Sequence, residues 1–272
     1  MKRRWLSILV LLGACSVEPP PDLRDELTPQ VAGMKLVFSD EFSGSKLDRT
    51  KWNTSYHFWR QPDGGSTNEG NRELQWYLPD NVSVSNGVAK LTARQHSYRA
   101  PTGKRYAYTS GILSSHHKFQ FTYGYIEARM RIPQGRGLWP AFWTLPIPGA
   151  VPQSKPEIDI MEVLGQQPKT VHFNLHYLNA EGRHRQAKHH YTSGQNLAQG
   201  WHTYAVRWEP ERLIFYLDGV ERHRVEGPMV PSKKMYLLLN LAVGGDWPGA
   251  PNGATPFPGS LAVDYVRVYK RQ

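Results

Sequence analysis

Residues 157–165 read EIDIMEVLG. Three carboxylates, Glu157, Asp159 and Glu162, fall within six residues, and apolar side chains fill the gaps. Carboxylates held close repel one another, and burying them is costly unless something pairs with them. In a regular strand Glu157 and Asp159 share one face with Met161, while Glu162 points to the other. A β-bulge at Ile160–Met161 would insert one extra residue and return Glu162 to the face of the other two acids. Two carboxyls facing one cleft can cut a glycosidic bond: one attacks the anomeric carbon or activates water, and the other protonates the leaving oxygen. The third can shift its neighbours' proton affinity by repulsion or hydrogen bonding. Two other readings stay open for these residues alone. A metal site would want more oxygen or histidine ligands nearby in sequence. A solvated acidic strand would not need an apolar residue in every gap.

Other segments could hold a sugar chain. GLWPAFWTLP carries Trp139 and Trp143, whose faces can stack on the C–H faces of sugars. They lie four apart, so strand alternation puts both on one side unless Pro140 bends the chain. One of the two is expected to be a core residue. NEGNRELQWY offers Asn71, Arg72, Glu73 and Gln75 as partners for hydroxyls, and LAVGGDWPG places Trp247 on a Gly-rich loop. Loops at the rim of a rigid sheet often carry ligand contacts. His176 follows Glu162 by fourteen residues and joins the candidate site.

The elements that must position these side chains read as strands. In YGYIEARMRI, Ile126, Ala128, Met130 and Ile132 alternate with Tyr125, Glu127, Arg129 and Arg131, the period of a strand with one buried face. LIFYLDGVERHRV sets Asp218-Gly219 between two β-prone runs, a hairpin signal. MYLLLNLAV and LAVDYVRVYK read as further strands. No stretch sustains a 3.6-residue period over three turns. With 24 Gly and 21 Pro in 272 residues, the pattern is an all-β sandwich or barrel in one domain.

The first residues read MKRRWLSILVLLGACS. A charged start and a short apolar run, too short to span a bilayer, make an export signal over residues 1–14. The only cysteine, Cys15, ends an LGAC segment resembling the lipobox of bacterial lipoproteins, where the cysteine is lipidated. Residues 15–33, Pro-rich and acidic, are expected to tether the lipid to a domain at 34–272. The protein is expected to be exported, monomeric and held on a membrane by its lipid, with Ser16 favouring the outer membrane. The net charge is +10. Residues 1–14 supply three basic groups and no acidic one, which leaves +7. Such a surface can attract nucleic acid, lipid headgroups or acidic polysaccharide, although such a balance is more often only a solvated surface. Export argues against nucleic acid as a partner.

Together these segments resemble glycoside hydrolase family 16. The resemblance runs from LVFSDEFSG near residue 36 to VDYVRVYK at the end. EIDIMEVLG has the family's E-x-D-x-x-E form with a Met bulge, as in laminarinase-like members. GLWPAFWTLP, GNRELQWY, WHTYAVRWEPERLIFYLDG and LLNLAVGGDWPG are similar to further family segments, in family order. The resemblance implies a β-jelly roll of two antiparallel sheets, the concave one forming an open substrate cleft. It implies endo-acting hydrolysis of a β-linked polysaccharide with retention: Glu157 as nucleophile, Glu162 as acid/base and Asp159 assisting. Repulsion would keep Glu162 protonated while Glu157 is ionised, and relax once Glu157 is glycosylated. No catalytic cofactor is implied. A structural Ca²⁺ on the convex side would be held by Asp264, Glu41 and the backbone of Gly87. Arg72 stands where many β-glucanases carry Asn or Gly. The implied substrate is a β-1,3 or β-1,3(4)-glucan. An acidic bacterial exopolysaccharide is the alternative, and a non-catalytic lectin on the same fold a third reading.

Overall fold

The computed structural model describes residues 31–57, 60–147 and 156–272. Residues 1–14, Cys15 and most of the expected tether lie outside them. Among the described residues, sixteen strands build two sheets. The larger uses β1 (Met34–Asp40), β2 (Gln75–Tyr77), β3 (Val82–Ser85), β4 (Val88–Arg99), β5 (Arg105–Ser110), β7 (Gly124–Arg131), β12 (His202–Glu209), β13 (Arg212–Leu217), β14 (Val220–Glu226) and β16 (Gly259–Arg271). Their order is β14-β13-β12-β7-β16-β4-β5-β2, with β1 also on β16 and β3 on β4. The smaller sheet uses β6 (Ile112–Ser114), β8 (Leu138–Pro146), β9 (Glu157–Glu162), β10 (Thr170–Leu178), β11 (His184–Thr192) and β15 (Met235–Val243), in the order β11-β10-β9-β8-β15-β6. Every pairing is antiparallel except β2 with β5. This is the expected sandwich. Among the described residues the only helical elements are short 3-10 turns.

The core lies between the sheets. Ile126, Ala128, Met130 and Ile132 face inward, against inward residues such as Phe142, Ile158, Phe173 and Leu239. Burying one such side chain stabilises the fold by about 1.5–3 kcal/mol. The Asp218-Gly219 turn has positive φ at both residues, 52° and 71°, which matches the right-handed twist of the hairpin it closes.

Two expectations need correction. The outer face of β7 is not simply solvated. Tyr125 packs with Val31, Ala205, Ile214, Tyr216 and Tyr269 in a second small cluster. Glu127 is buried beside them, its carboxylate accepting from Tyr125 Oη at 2.9 Å and Tyr265 Oη at 2.8 Å. Those two hydroxyls satisfy a group that burial alone would make costly. The same cluster shortens the tether: Val31 is only 4% exposed, so the folded unit already includes the residues just before position 34.

Candidate active site

β9 lies inside the six-stranded sheet, between β8 and β10. Against β8, Phe142 pairs with Met161 and Trp143 with Asp159, leaving Ile160 as an extra residue. Against β10, His172 pairs with Glu162 and Asn174 with Asp159, so Ile160 and Met161 together face one residue, Phe173. This is the two-against-one count of a bulge. Ile158, Ile160 and Met161 are buried in the core, while Glu157, Asp159 and Glu162 all line one open cleft of about 920 Å³ across the sheet. Apolar residues fill every gap in EIDIME because they form the back wall of the cleft.

The acids have different company. Trp139 donates its indole N–H to Glu162 Oε1 at 3.1 Å. Asp159, 3% exposed, has Oδ2 at 3.2 Å from His176 Nε2. His176 in turn lies 2.8 Å from Asn174 Nδ2 and, through Nδ1, 2.8 Å from His184 Nε2. Glu157, Asp159 and His176 bring ligating atoms within 4.8 Å of one another.

Most of the other expected contacts line the same cleft. Trp139 and Trp143 both face it, half-exposed, because the pairing of β8 with β15 runs through Pro140 without a break. Neither is a core residue; among the described residues Trp52, Trp76 and Trp208 are. Trp143 donates to Asn240 Oδ1 at 2.8 Å. Trp247, 43% exposed, stands edge-on to Trp139 at 5.4 Å and to His172 at 4.8 Å. Its loop starts with Gly244 and Gly245, both at positive φ. A Cβ on Gly244 would come within 2.4 Å of Leu74, and one on Gly245 within 2.8 Å of the Asn71 carbonyl. The loop can lock onto residues 71–74 only without those side chains.

The 71–75 segment divides. Asn71 lines the cleft, whereas Arg72, at φ 53°, turns outward and pairs with Asp246 at 2.6 Å, its side chain 78% exposed. Arg72 is therefore a rim residue and does not line the cleft. Gln75 is fully buried, bridging Glu73 and the Val243 N–H, and is unavailable to a hydroxyl. Glu73 reaches the cleft wall and accepts from Gln75, Asn71 and Tyr77. Burial nonetheless pushes its carboxyl up to about 7.

Several lining residues escaped the sequence reading. His172 and Asn174 precede His176 at steps of two in VHFNLHY, and that alternation was the available signal. Asn240 is a lone polar residue in an apolar strand, and Tyr56 gave no signal. Along β11 the lining includes His184, Gln186, Lys188 and His190.

The expected calcium ligands meet only in part. β16 pairs with β4 up to Val263 and with β1 from Val266 onward. Asp264 sits at that change of partner, bulged between Val263 and Tyr265. Gly87, in the β3–β4 turn, and Glu41, just after β1, flank it in the sheet. The carboxylate of Glu41 is bound by Arg267 through two contacts of 2.9 Å, and that of Asp264 by Arg129 at 2.7 Å. A cation there would use Asp264 with main-chain oxygens, and the Glu41 carboxylate drops out of the set.

Three buried or partly buried histidines affect stability. Burial lowers His57 to about 4 and His116 to about 3, and burial with His190 nearby lowers His172 to about 4. The unfolded chain takes up these protons first, at about pH 6.5. Stability from these groups is full above pH 6.5 and drains away as pH falls toward 4. Glu73 and Glu127, both raised by burial, work oppositely, but they are two groups against these three histidines and a fourth, His223, that burial also lowers. The melting temperature should therefore fall by several degrees from pH 7 to pH 5 in a thermal scan; a rise would show that the two raised carboxyls dominate.

Residues 70–266 match the family described as Glycosyl hydrolases family 16. The chain belongs to this family. It is 34% identical to a β-glucanase of Rhodothermus marinus, over 99% of this chain and 95% of the relative. It is 35% identical to glucan endo-1,3-β-glucosidase A1 of Niallia circulans over 93% of this chain, yet spans only 42% of that protein's length. Its fold is similar to the X-ray structure of an endo-β-1,3-glucanase from Pyrococcus furiosus, with a TM-score of 0.76, 34% identity, and coverage of 87% of this chain and 94% of that one.

Proposed function

We propose that this protein is an endo-acting β-glucan hydrolase, cutting β-1,3 or β-1,3(4) linkages with retention. The observation that carries this reading is the bulged strand, which sets Glu157, Asp159 and Glu162 in one row on the floor of an open cleft. A cleft open along the sheet suits an internal stretch of polymer. Glu157 attacks the anomeric carbon as the bond to the leaving oxygen breaks, and Glu162 gives its proton to that oxygen. Glu162 then takes a proton from water, whose oxygen displaces Glu157. Asp159, beside His176, stands next to the nucleophile in the row, and Trp139 orients Glu162. These steps use side chains alone.

The test is reducing-end release from a panel of laminarin, mixed-linkage glucan, agarose, carrageenan and succinoglycan. Rapid loss of laminarin viscosity with few new ends supports the reading. No cleavage of any polymer, with binding retained, would make the protein a lectin.

The reading extends to the cell: an exported monomer, cut before Cys15 and lipidated there, working on the outer membrane. Cys15→Ala should move the protein from the membrane fraction to the soluble fraction with unchanged specific activity. Retention in the membrane would refute the anchor. It also extends to calcium at Asp264. Adding CaCl₂ to chelator-stripped protein should raise the melting temperature by a few degrees with turnover unchanged, since a ligand of the native state alone stabilises it. No shift would remove calcium from this reading.

A further inference from the structure

The cleft is chemically lopsided. On the β8–β15 side its lining is aromatic and neutral or acidic: Trp139, Trp143, Asn240, Asn71 and Glu73. On the β10–β11 side it is histidine, amide and lysine with one apolar residue, Phe173, and no carboxylate. Residues 183–190 read RHRQAKHH, six basic side chains in eight. β11 is the edge strand of the smaller sheet. Charges on an edge strand commonly serve only to discourage pairing with another chain. That purpose asks nothing of the direction in which they point. Here His184, Gln186, Lys188 and His190, together with His189, line the cleft. Across from them on β10, in register, stand His172, Asn174 and His176. Lys188 faces Asn174 and has no carboxylate partner among the described residues.

We propose that the β10–β11 wall is an anion-binding subsite, and that the glycan seated there carries carboxylate or sulfate groups. This rests on the hydrolase reading for its substrate, and it names the class of sugar that the same cleft selects. β11 lies two strands from the catalytic row on β9, about 10 Å away. That is beyond the sugar being cut and within reach of those further along the chain. An ammonium group and several N–H donors on one wall suit an oxyanion, since charge-assisted hydrogen bonds are the strong ones. Neutral sugars find their stacking surfaces on the opposite wall. The basic charge of the whole chain adds a longer-range pull on such a polymer.

Three forms of one polymer test this: laminarin unmodified, sparsely carboxymethylated and sparsely sulfated. In pairwise competition the wild-type protein should favour one anionic form by about tenfold in kcat/KM at low salt. The preference should shrink in about 0.5 M NaCl, where the Debye length is only a few ångströms. Lys188→Gln should lower the anionic-to-neutral ratio about tenfold. Lys90→Gln, an exposed charge on the other sheet, should leave it unchanged. Electrophoresis through gels containing each polymer reads binding without cleavage. A panel that is bound but uncut would therefore sink the hydrolase reading while the retardation ratio still decides the wall. Equal treatment of all three polymers, or a ratio that Lys188→Gln and Lys90→Gln change alike, overturns the proposal.

Discussion

Glu157→Gln should lower turnover on β-glucan by about four orders of magnitude or more, the scale seen when an enzyme loses its nucleophile. The side chains are nearly the same size, so the sheet has no reason to move. The amide nitrogen removes the oxygen nucleophilicity that the first step needs. Binding of a laminarin oligosaccharide should persist, because the rings of Trp139, Trp143 and Trp247 are untouched. Titration calorimetry with the inactive variant and a rate assay with the same glycan separate the two effects. A variant that keeps even a tenth of wild-type turnover would remove Glu157 from the nucleophile's role.

Glu162→Gln should leave a different signature. The glutamine oxygen can still accept from the Trp139 indole, so the residue keeps its place while losing its proton. Loss of a general acid costs about 10²- to 10⁴-fold. The loss should be largest on glucan and much smaller on an aryl glycoside, whose leaving group departs without a proton. Glu162→Gly with added azide should recover activity and yield a β-glycosyl azide, since the small anion attacks the glycosyl-enzyme without a base. In the wild type, early proton NMR should show a β-configured first product. Retention goes with carboxyls roughly 5–5.5 Å apart and inversion with about 6.5–9.5 Å. An α-configured first product would overturn the assignment of both residues.

How much of this could be read from the chain depends on how local each signal is. The bulge was legible because EIDIME breaks the period of two at one place, and only an extra residue reconciles three acids with one face. Alternation put Trp139 and Trp143 on one face, but it did not show that both stay out of the core, because the pairing of β8 with the distant β15 decides that. Arg72 was not legible, because its direction is set by a left-handed backbone turn and by Asp246, 174 residues further along. Nor was the fate of Gln75, which the distant Val243 draws into the core. The outer face of β7 looked like a solvent face because its cover, Val31 and Tyr269, comes from the two ends of the folded unit. The arginines on Asp264 and Glu41 arrive from other positions in the sheet, Arg129 from β7 and Arg267 three residues past Asp264. A ligand set inferred from resemblance takes no account of them.

The bulge also sets how this stretch can change in length. Deleting Met161 would give EIDIE, in which the three acids sit two apart and share a face of a plain strand. The catalytic row would survive a one-residue deletion, although its last member would move along the sheet and lose its fit to Trp139. Removing one residue between Glu157 and Asp159 has no such refuge, for it would send Glu157 to the core side of the sheet. Chains descended from this one can therefore gain or lose a residue in the second half of β9 and keep their chemistry, and cannot in the first.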